Sequence, residues 1–244
     1  MKSITTNKLL IVLLFWEGDK EQSMRLARLL ADLEPKHSEQ ADFLFVARFD
    51  SKHDDQTVRY VSRKFNVHTH ISKRRGTGWP MGCNGVFFGM LEWVYHKISA
   101  GLVPSYKSIL VLGGDGAPLR ADWISHFVNN QQAGIFVSGA LVRGEYGARD
   151  HINGDCALLS GDLQFLRWLT LDIADISVVA GWDWVLADQF RQRGWKDLPF
   201  VKSVWNFPRP FTQENWDSEV NSGTVWFHGV KGFSLLNLCR KNLL

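Results

Sequence analysis

The sequence predicts an α/β protein in which a mixed central sheet is flanked by helices. In the first half of the chain, short apolar runs typical of buried strands alternate with segments whose large apolar residues recur at helical spacing. In the second half these segments follow one another less regularly, which predicts a mixed sheet instead of a purely parallel one. With 244 residues, 45% of them hydrophobic, the chain can bury one sizeable core.

The individual elements follow from local patterns. Strands are predicted at apolar runs bounded by polar or glycine-containing turns, at residues 9–16, 43–47, 67–71, 109–112, 133–142 and 156–159. Helices are predicted where apolar residues fall on one face, at residues 24–33, 56–65, 82–98, 161–169 and 182–193. Residues 195–244 contain three prolines and four tryptophans but no long periodic segment. We expect them to form an irregular, ordered segment that wraps the core.

Charge and cysteine content narrow the class of protein. The chain has 28 Lys and Arg against 25 Asp and Glu, so a net charge of +3 permits a nucleic-acid partner without implying one. Basic clusters at residues 73–75 and 191–193 suit an anionic partner, or are ordinary solvated faces. Cys83, Cys156 and Cys239 are widely spaced, which argues against a disulfide framework or a structural zinc site and favours a cytoplasmic location.

The N-terminal apolar run predicts a buried strand and not a membrane segment. Residues 9–16 are too few to cross a bilayer, and they are followed by Glu17, Gly18 and Asp19 with no small-residue cleavage site. We therefore expect no membrane span.

The first segment that carries a candidate functional group is the end of the strand at residues 109–112. Gly113, Gly114, Asp115 and Gly116 follow it directly, so the strand carries one carboxylate to its exit. Ligands of open α/β sheets bind beyond the carboxyl ends of the strands, where such a carboxylate holds a divalent cation against a diphosphate. The alternative is an ordinary turn in which the aspartate bonds its own backbone.

The second segment lies near the C-terminus, at residues 226–232. It contains His228, a metal-binding imidazole, Gly229, which allows close backbone approach, and Lys231, which suits phosphate. The alternative is a strand end with a satisfied histidine and an exposed lysine. The two segments together are a stronger signal than either alone, because a cation needs ligands from more than one side.

Together these segments resemble the GT-A glycosyltransferases, which have an Asp-x-Asp motif after a central strand and a late His-Gly segment followed by Lys. The resemblance implies a GT-A-like, Rossmann-related fold, Mn²⁺ or Mg²⁺, and a nucleotide diphosphate sugar as donor. It implies that Asp115 and His228 bind metal and that Lys231 and Gly229 lie at the donor. Gly113 stands where the family has its first acid, and Asp155 or a water molecule is the expected substitute.

The resemblance also implies an organisation of the chain. We expect one domain over residues 1–244, with a donor-nucleotide half at about 8–120 and an acceptor half with its closing segment at about 121–244.

Four further residues are predicted to contact the donor. Gly82 and Asn84 lie in a glycine-containing turn and helix start that resembles the family's nucleotide side, although helix capping explains them nearly as well. Asn153 lies with Asp155 in a segment similar to the one that lines the family's sugar pocket. Asp19, just past the first strand, is a candidate contact for the nucleotide or a plain loop residue.

Asp183 is the predicted catalytic base. It lies between two tryptophans at a helix start, where inverting members of the family carry an acid that accepts the proton of the acceptor hydroxyl. The alternative is a carboxylate stabilised by the helix dipole. Of the tryptophans near these motifs, Trp79, Trp182, Trp184 and Trp226, we expect about two to touch ligand and the rest to lie in the core.

The predicted activity is transfer of a sugar to a hydroxyl acceptor. That acceptor is either a 5-hydroxymethylpyrimidine in DNA, as for bacteriophage DNA glycosyltransferases, or a glycan precursor. Two alternatives remain open at this point. One is a non-catalytic nucleotide- or carbohydrate-binding module with the same fold, and the other is a sugar nucleotidyltransferase.

Overall fold

The computed structural model describes residues 7–144, 149–173 and 180–244. Its strands are β1 (Leu9–Phe15), β2 (Ala41–Ala47), β3 (Asn66–Ile71), β4 (Ser108–Leu112), β5 (Gly116–Pro118), β6 (Val137–Gly139), β7 (Leu141–Val142), β8 (His151–Ile152), β9 (Ala157–Ser160), β10 (Trp195–Asp197), β11 (Val201–Ser203) and β12 (Trp226–His228). Its helices are α1 (Lys20–Leu33), α2 (Asp55–Val61), α3 (Met81–Ser99), α4 (Trp123–Asn130), α5 (Leu163–Arg167), α6 (Trp182–Val185), α7 (Ala187–Arg193), α8 (Gln213–Asn221) and α9 (Ser234–Leu243). A π-helical segment, Trp168–Asp172, continues α5.

The central sheet has seven strands in the order β10-β6-β9-β4-β1-β2-β3. Strands β4, β1, β2 and β3 are mutually parallel, whereas β9 is antiparallel to both of its neighbours, β4 and β6. The predicted mixed α/β sheet is therefore confirmed. The carboxyl ends of β1, β2 and β4 meet at one edge, and β9 begins at that same edge.

Both faces of the sheet are buried, which explains why its central strands are apolar throughout. In β1, Leu9, Ile11 and Leu13 face one core together with α1, whereas Leu10 and Val12 face a second core together with α3. Alternate side chains of a strand point to opposite faces, so a continuous apolar run fills two cores at once.

A smaller sheet of three strands, in the order β11-β12-β5, lies next to the carboxyl edge of the central sheet. Strand β5 follows β4 after a short turn, and β12 pairs with it in antiparallel register, with His228 opposite Gly116. Strand β11 runs parallel to β12 and places Ser203 beside His228. This pairing brings the C-terminal motif to the turn that contains Asp115.

The second half of the chain differs from the expected elements in detail. The predicted helix at residues 182–193 is two short helices, α6 and α7, joined at Leu186, and the predicted strand at residues 133–142 is divided between β6 and β7. The closing segment contains more regular structure than its sequence indicated, because α8 and α9 lie within it. Helix α8 buries only Trp216, so it carries no apolar periodicity, and it is started by a capping box of Thr212 and Asn215.

Among the described residues, no helix is both long enough and apolar enough to cross a bilayer. The three cysteines are free thiols.

A ring stack joins helix α3 to helix α6, which carries Asp183. The Phe87 ring lies 3.6 Å from the Trp182 ring at an interplanar angle of 3°, and Trp182 precedes Asp183 in α6. We predict that Phe87→Ala lowers the free energy of unfolding by about 3–5 kcal/mol, the usual cost of removing a buried aromatic ring. Urea denaturation measures this loss. Leu102→Ala, at a side chain that is 67% exposed, is the control and should change the free energy by less than about 0.5 kcal/mol.

Candidate metal and donor site

The site is built on the turn that follows β4. The backbone carbonyl of Asp115 accepts hydrogen bonds from the N–H groups of Gly229 and Val230, each at 3.0 Å. The turn after β12 is thereby joined to the turn after β4, and the side chain of His228 reaches the carboxylate of Asp115. Gly229 has a φ of 109°, and a side chain there would collide with the carbonyl of Val204, so only glycine fits this connection.

Three potential ligands meet at this point. Nε2 of His228 lies 3.1 Å from Oδ1 of Asp115 and 2.8 Å from Oδ2 of Asp155. One ligand atom from each of these residues lies within 4.8 Å of the other two. Carboxylate oxygens with one imidazole nitrogen are a donor set that suits Mn²⁺ and is compatible with Mg²⁺.

The hydrogen bonds of His228 leave one ring nitrogen available. Its Nδ1 lies 3.0 Å from the hydroxyl of Ser203, which orients the ring. Its Nε2 is buried and has no hydrogen bond of acceptable geometry, although two carboxylates are close to it. A buried, oriented imidazole nitrogen that faces two carboxylates fits a metal ligand whose other nitrogen is held by an outer partner, once a metal ion displaces its proton.

Asp155 occupies the space that an acid at position 113 would need. A Cβ atom built on Gly113 would lie 2.5 Å from Oδ1 of Asp155 and 3.3 Å from Oδ1 of Asp115. Asp155 reaches this position because β9, which it precedes, pairs in antiparallel register with β4. The entry of β9 therefore lies beside the exit of β4. The sequence left a carboxylate or a water molecule open here, and the structure places the carboxylate of Asp155.

The charges at the site favour a cation between the acids. Burial by itself would lower the pKa of His228, but the negative charges of Asp155 and Asp115 outweigh it and raise this pKa to about 10. Burial opposes ionisation of Asp115 as well, yet His228 and Lys231 hold its pKa below the usual range. The same negative potential that stabilises the imidazolium would stabilise a divalent metal ion in competition with the proton.

Lys231 and Asp19 lie at the same centre. The ammonium group of Lys231 contacts the carboxylate of Asp115. Asp19 follows β1, accepts a hydrogen bond from the N–H of Trp16 at 2.9 Å, and interacts electrostatically with Asp115 and Asp155. Burial raises the pKa of Asp19 to about 6. The hydrogen bond from Trp16 opposes this shift, and the negative charges of Asp115 and Asp155 add to it.

Gln22 of α1 holds the loop that carries Lys231. Its Nε2 donates to the carbonyl of Val230 at 2.9 Å, and its Oε1 accepts from the N–H of Gly232 at 3.2 Å. One side-chain amide therefore binds the backbone on both sides of Lys231. The sequence analysis did not identify Gln22 or Ser203, because each acts through a partner more than 20 residues away and belongs to no local motif.

Asp183 lies close to the segment that contains Asp155. Its Oδ2 accepts from the N–H of Gly154 at 2.9 Å, and its Oδ1 accepts from the N–H of Trp184 at 3.0 Å. Burial raises the pKa of Asp183, although the hydrogen bond from Gly154 opposes the shift. The structure thus brings Asp183 and the Asp155 segment together, and the role of Asp183 as a base stays a prediction.

The remaining predicted donor residues lie at the same edge with different surroundings. The amide of Asn84 accepts from the N–H of Trp182 at 2.8 Å and donates to the carbonyl of Ala180 at 3.1 Å, so it binds the backbone at the start of α6. Asn153 accepts from the N–H of Asp155 at 2.9 Å, which shapes that turn. Gly82 is buried, and a Cβ there would lie 3.2 Å from Nη1 of Arg48. Their contact with a donor stays a prediction.

The four tryptophans divide evenly between core and surface. Trp182 and Trp226 are 6% and 1% exposed and belong to the two cores. Trp79 and Trp184 are 63% and 37% exposed. Only these last two of the four therefore have ring faces that a ligand can reach.

Comparison with known proteins gives a fold but no close relative. No protein family model matches the sequence. No curated protein matches it either.

Solved structures do resemble the chain. The glycosyltransferase GlyE of Streptococcus pneumoniae matches with a TM-score of 0.61 and 10% identity over 97% of this chain. The match spans only 61% of GlyE, so this chain covers about three fifths of that protein. The galactosyltransferase LgtC, bound to donor and acceptor sugar analogs, matches with a TM-score of 0.55 and 11% identity over 91% of this chain and 87% of LgtC.

A third match is a glycosyltransferase involved in the glycosylation of the major capsid of PBCV-1. Its TM-score is 0.53 and its identity 11%, over 97% of this chain and 98% of that structure. All three are glycosyltransferases, and the fold of this chain is the GT-A glycosyltransferase fold. In that fold, the chain places Asp115, Asp155 and His228 as a candidate metal site.

The position of Asp155 beside Gly113 predicts that a carboxylate at residue 113 can partly replace the carboxylate of Asp155. We expect Asp155→Ala to weaken Mn²⁺ binding at least tenfold, because even outer partners of metal ligands contribute about 10- to 100-fold. Adding Gly113→Asp to Asp155→Ala should restore part of that affinity, since the new carboxylate enters the space that Asp155 has left. Calorimetric titration with Mn²⁺ measures both variants. Equal affinity of wild type and Asp155→Ala would contradict the assignment.

Gly113→Asp alone is the matched control for this exchange. With Asp155 still present, two carboxylates compete for one space, and we expect a less stable protein with no gain in Mn²⁺ affinity. Urea denaturation together with the same titration separates crowding from metal binding.

Gln22 generates a second prediction. Gln22→Ala removes both hydrogen bonds that flank Lys231 and should weaken binding of nucleoside diphosphate by about 1 kcal/mol or more, roughly fivefold. The loss should not exceed that of Lys231→Ala, because Gln22 acts through this lysine. Glu21→Gln, at the neighbouring exposed position, is the control. If Gln22→Ala binds nucleoside diphosphate like the wild type, the loop does not depend on this amide.

Proposed function

We propose that the protein is a metal-dependent glycosyltransferase that moves a sugar from a nucleotide diphosphate sugar to a hydroxyl acceptor. The observation that carries this proposal is the convergence of Asp115, Asp155, His228 and Lys231 at the carboxyl edge of a GT-A sheet. Such a set of acids, imidazole and ammonium suits a cation bound to a diphosphate. The likeness to GlyE, LgtC and the PBCV-1 enzyme supports the same reaction class.

Asp115, Asp155 and His228 are the residues that would hold Mn²⁺ or Mg²⁺. Bound there, the ion supplies charge neutralisation for the departing diphosphate. Ser203 orients the imidazole of His228, and the backbone bonds from Gly229 and Val230 to Asp115 fix the two turns to each other. The chain therefore arranges its ligands before any donor binds, which reduces the cost of ordering them during the reaction.

Lys231 adds positive charge for the phosphates. Gln22 holds the backbone on both sides of it, so the ammonium group is directed at Asp115, where the phosphates of the donor would lie. Asp19 lies at the end of β1 near the same acids, where it would contact the sugar or ribose hydroxyls of the donor. Hydrogen bonding between an ionised lysine and phosphate is among the stronger polar contacts in proteins.

Asp183 is the proposed base. In the reaction, the bond between the anomeric carbon and the diphosphate oxygen breaks while the acceptor oxygen bonds to that carbon, and the acceptor's proton passes to the carboxylate of Asp183. Both carboxylate oxygens are held by backbone N–H groups, which fixes the direction of the remaining lone pairs. Burial raises the pKa of this carboxyl, which makes it a better base at neutral pH.

The proposed acceptor is a hydroxyl group on a 5-hydroxymethylpyrimidine in DNA or on a glycan precursor. The test is a panel of nucleotide sugars with Mn²⁺ or Mg²⁺, read by release of nucleoside diphosphate, with and without hydroxymethylated DNA. We expect release that requires the metal and is lost in His228→Ala. Release of pyrophosphate instead would indicate a nucleotidyltransferase. Donor binding without any release would indicate a non-catalytic binding module.

The role of Asp183 generates a prediction with a pH signature. Asp183→Asn should keep donor affinity and lower turnover by about two to four decades, the usual contribution of a positioned base. Because burial raises the pKa of the Asp183 carboxyl, wild-type turnover should fall as the pH falls through that raised value, and the variant should lose this acidic limb. Steady-state kinetics across pH check both. Near-normal turnover of the variant would rule out Asp183 as the base and favour a retaining reaction, in which the leaving diphosphate takes the proton.

A further inference from the structure

Two loops at the carboxyl edge of the sheet carry the most exposed tryptophans of the described residues. Residues 72–80 connect β3 to α3 and contain Trp79, which is 63% exposed. Residues 204–210 follow β11 and contain Trp205, which is 75% exposed. Trp79 is one of the four tryptophans that lie near the sequence motifs, whereas Trp205 belongs to the C-terminal segment.

Both loops are adjacent to the metal site. The first leads into α3, whose first turn carries Asn84, and the amide of Asn84 accepts from the N–H of Trp182 at 2.8 Å. The next residue, Asp183, accepts from the N–H of Gly154 at 2.9 Å, beside Asp155. The second follows Ser203, which contacts His228, and its residues 207–210 line a cavity of about 380 Å³ together with Lys231. An extended ligand that contacts both loops would therefore pass the metal site.

The two rings differ from the other exposed tryptophans at this edge. The guanidinium of Arg48 lies 4.7 Å from the ring of Trp16, and that of Arg149 lies 4.5 Å from the ring of Trp184, so each of those rings has one face covered. In the described parts of the chain, Trp79 and Trp205 have no aromatic or cationic partner. Single exposed aromatic residues are ordinary, but two uncovered indoles beside one site can each stack a flat ring of the same ligand.

Positive charge accompanies both rings. Lys73 and Arg75 in the first loop and Arg209 in the second are exposed, and among the described residues none has a carboxylate within 4.0 Å. Their neighbour Arg74, in contrast, is paired with Glu92 at 2.8 Å. Uncompensated cations next to uncovered aromatic faces are the arrangement that binds single-stranded nucleic acid, in which phosphates meet the cations and bases stack on the rings. A neutral glycan would use the rings and leave the cations without partners.

We propose that loops 72–80 and 204–210 form a binding surface for single-stranded DNA that carries the acceptor hydroxyl to the metal site. This inference rests on the proposed glycosyl transfer for its biological use, although binding itself requires no donor. It assigns the acceptor to a nucleic acid and gives the basic cluster at residues 73–75 a function.

The test is fluorescence anisotropy with a labelled oligothymidylate of about 12 nucleotides, without donor or metal, between about 50 and 200 mM salt. We expect binding that weakens with salt. Trp79→Ala and Trp205→Ala should each weaken it at least about fivefold, the lower end of the effect of losing one stacked base. Lys73→Ala/Arg75→Ala should reduce the slope of log affinity against log salt by about 1.4, because each phosphate contact contributes about 0.7.

Matched controls lie elsewhere on the surface. Leu102→Ala removes an exposed apolar side chain that follows the C-terminus of α3, and Arg59→Ala/Arg167→Ala removes the same charge as the lysine–arginine pair. Neither should change affinity or salt slope by more than the error of the measurement.

Several results would overturn the proposal. They are no binding up to about 0.1 mM at low salt, wild-type affinity in both tryptophan variants, or tighter binding of duplex than of single strand. Displacement of the oligonucleotide by a neutral oligosaccharide, sensitive to the same tryptophans, would assign the surface to a glycan. If nucleoside diphosphate is still released while DNA does not bind, the proposed DNA-binding surface is contradicted and the proposed glycosyltransferase activity is supported. If DNA binds and no nucleoside diphosphate is released, the DNA-binding surface is supported and the glycosyltransferase activity is contradicted.

Discussion

The site depends on the pairing of β12 with β5 and on the two hydrogen bonds that the Asp115 carbonyl accepts from Gly229 and Val230. These contacts join parts of the chain more than 100 residues apart and bring an imidazole to a carboxylate at the exit of β4. The absence of a side chain at Gly229 is required for the approach, because the Val204 carbonyl occupies that space. The meeting of the three candidate metal ligands and the position of Lys231 beside Asp115 both follow from this junction.

A second constraint is the burial of negative charge. Asp115 is mostly buried, Asp155 is half-buried, and Asp19 interacts electrostatically with both. The three carboxylates therefore need compensating positive charge. His228 and Lys231 supply it within the chain, and a divalent ion would supply more. Carboxylates that repel one another and a cation that neutralises them are what a diphosphate-binding metal site requires. The electrostatics therefore support the proposed cation site at this edge of the sheet.

The space beside Gly113 is filled by a carboxylate that comes from the segment before β9, the neighbouring strand in the sheet. Asp155 lies more than 40 residues after Gly113, yet antiparallel pairing of β9 with β4 brings it to the same space. An acid at both positions would crowd this space. The residues at the exit of β4 therefore supply only one of the candidate carboxylates, and the register of β9 against β4 supplies the other.

The sequence by itself determined the mixed α/β class, the strands and helices of the first half, and the two segments that bring Asp115 and His228 together. Continuous apolar runs and helical spacing are local patterns, and a buried sheet needs both. The sequence alone did not determine the helices of the C-terminal segment, since α8 buries only Trp216, nor the sorting of four similar tryptophans into core and surface. The contacts of Gln22 and Ser203 with the candidate site were decided only by tertiary structure, and so was the choice between Asp155 and a water molecule beside Asp115. Each acts across a distance in sequence that no local pattern records, through strand register and backbone contacts that exist only once the chain has folded.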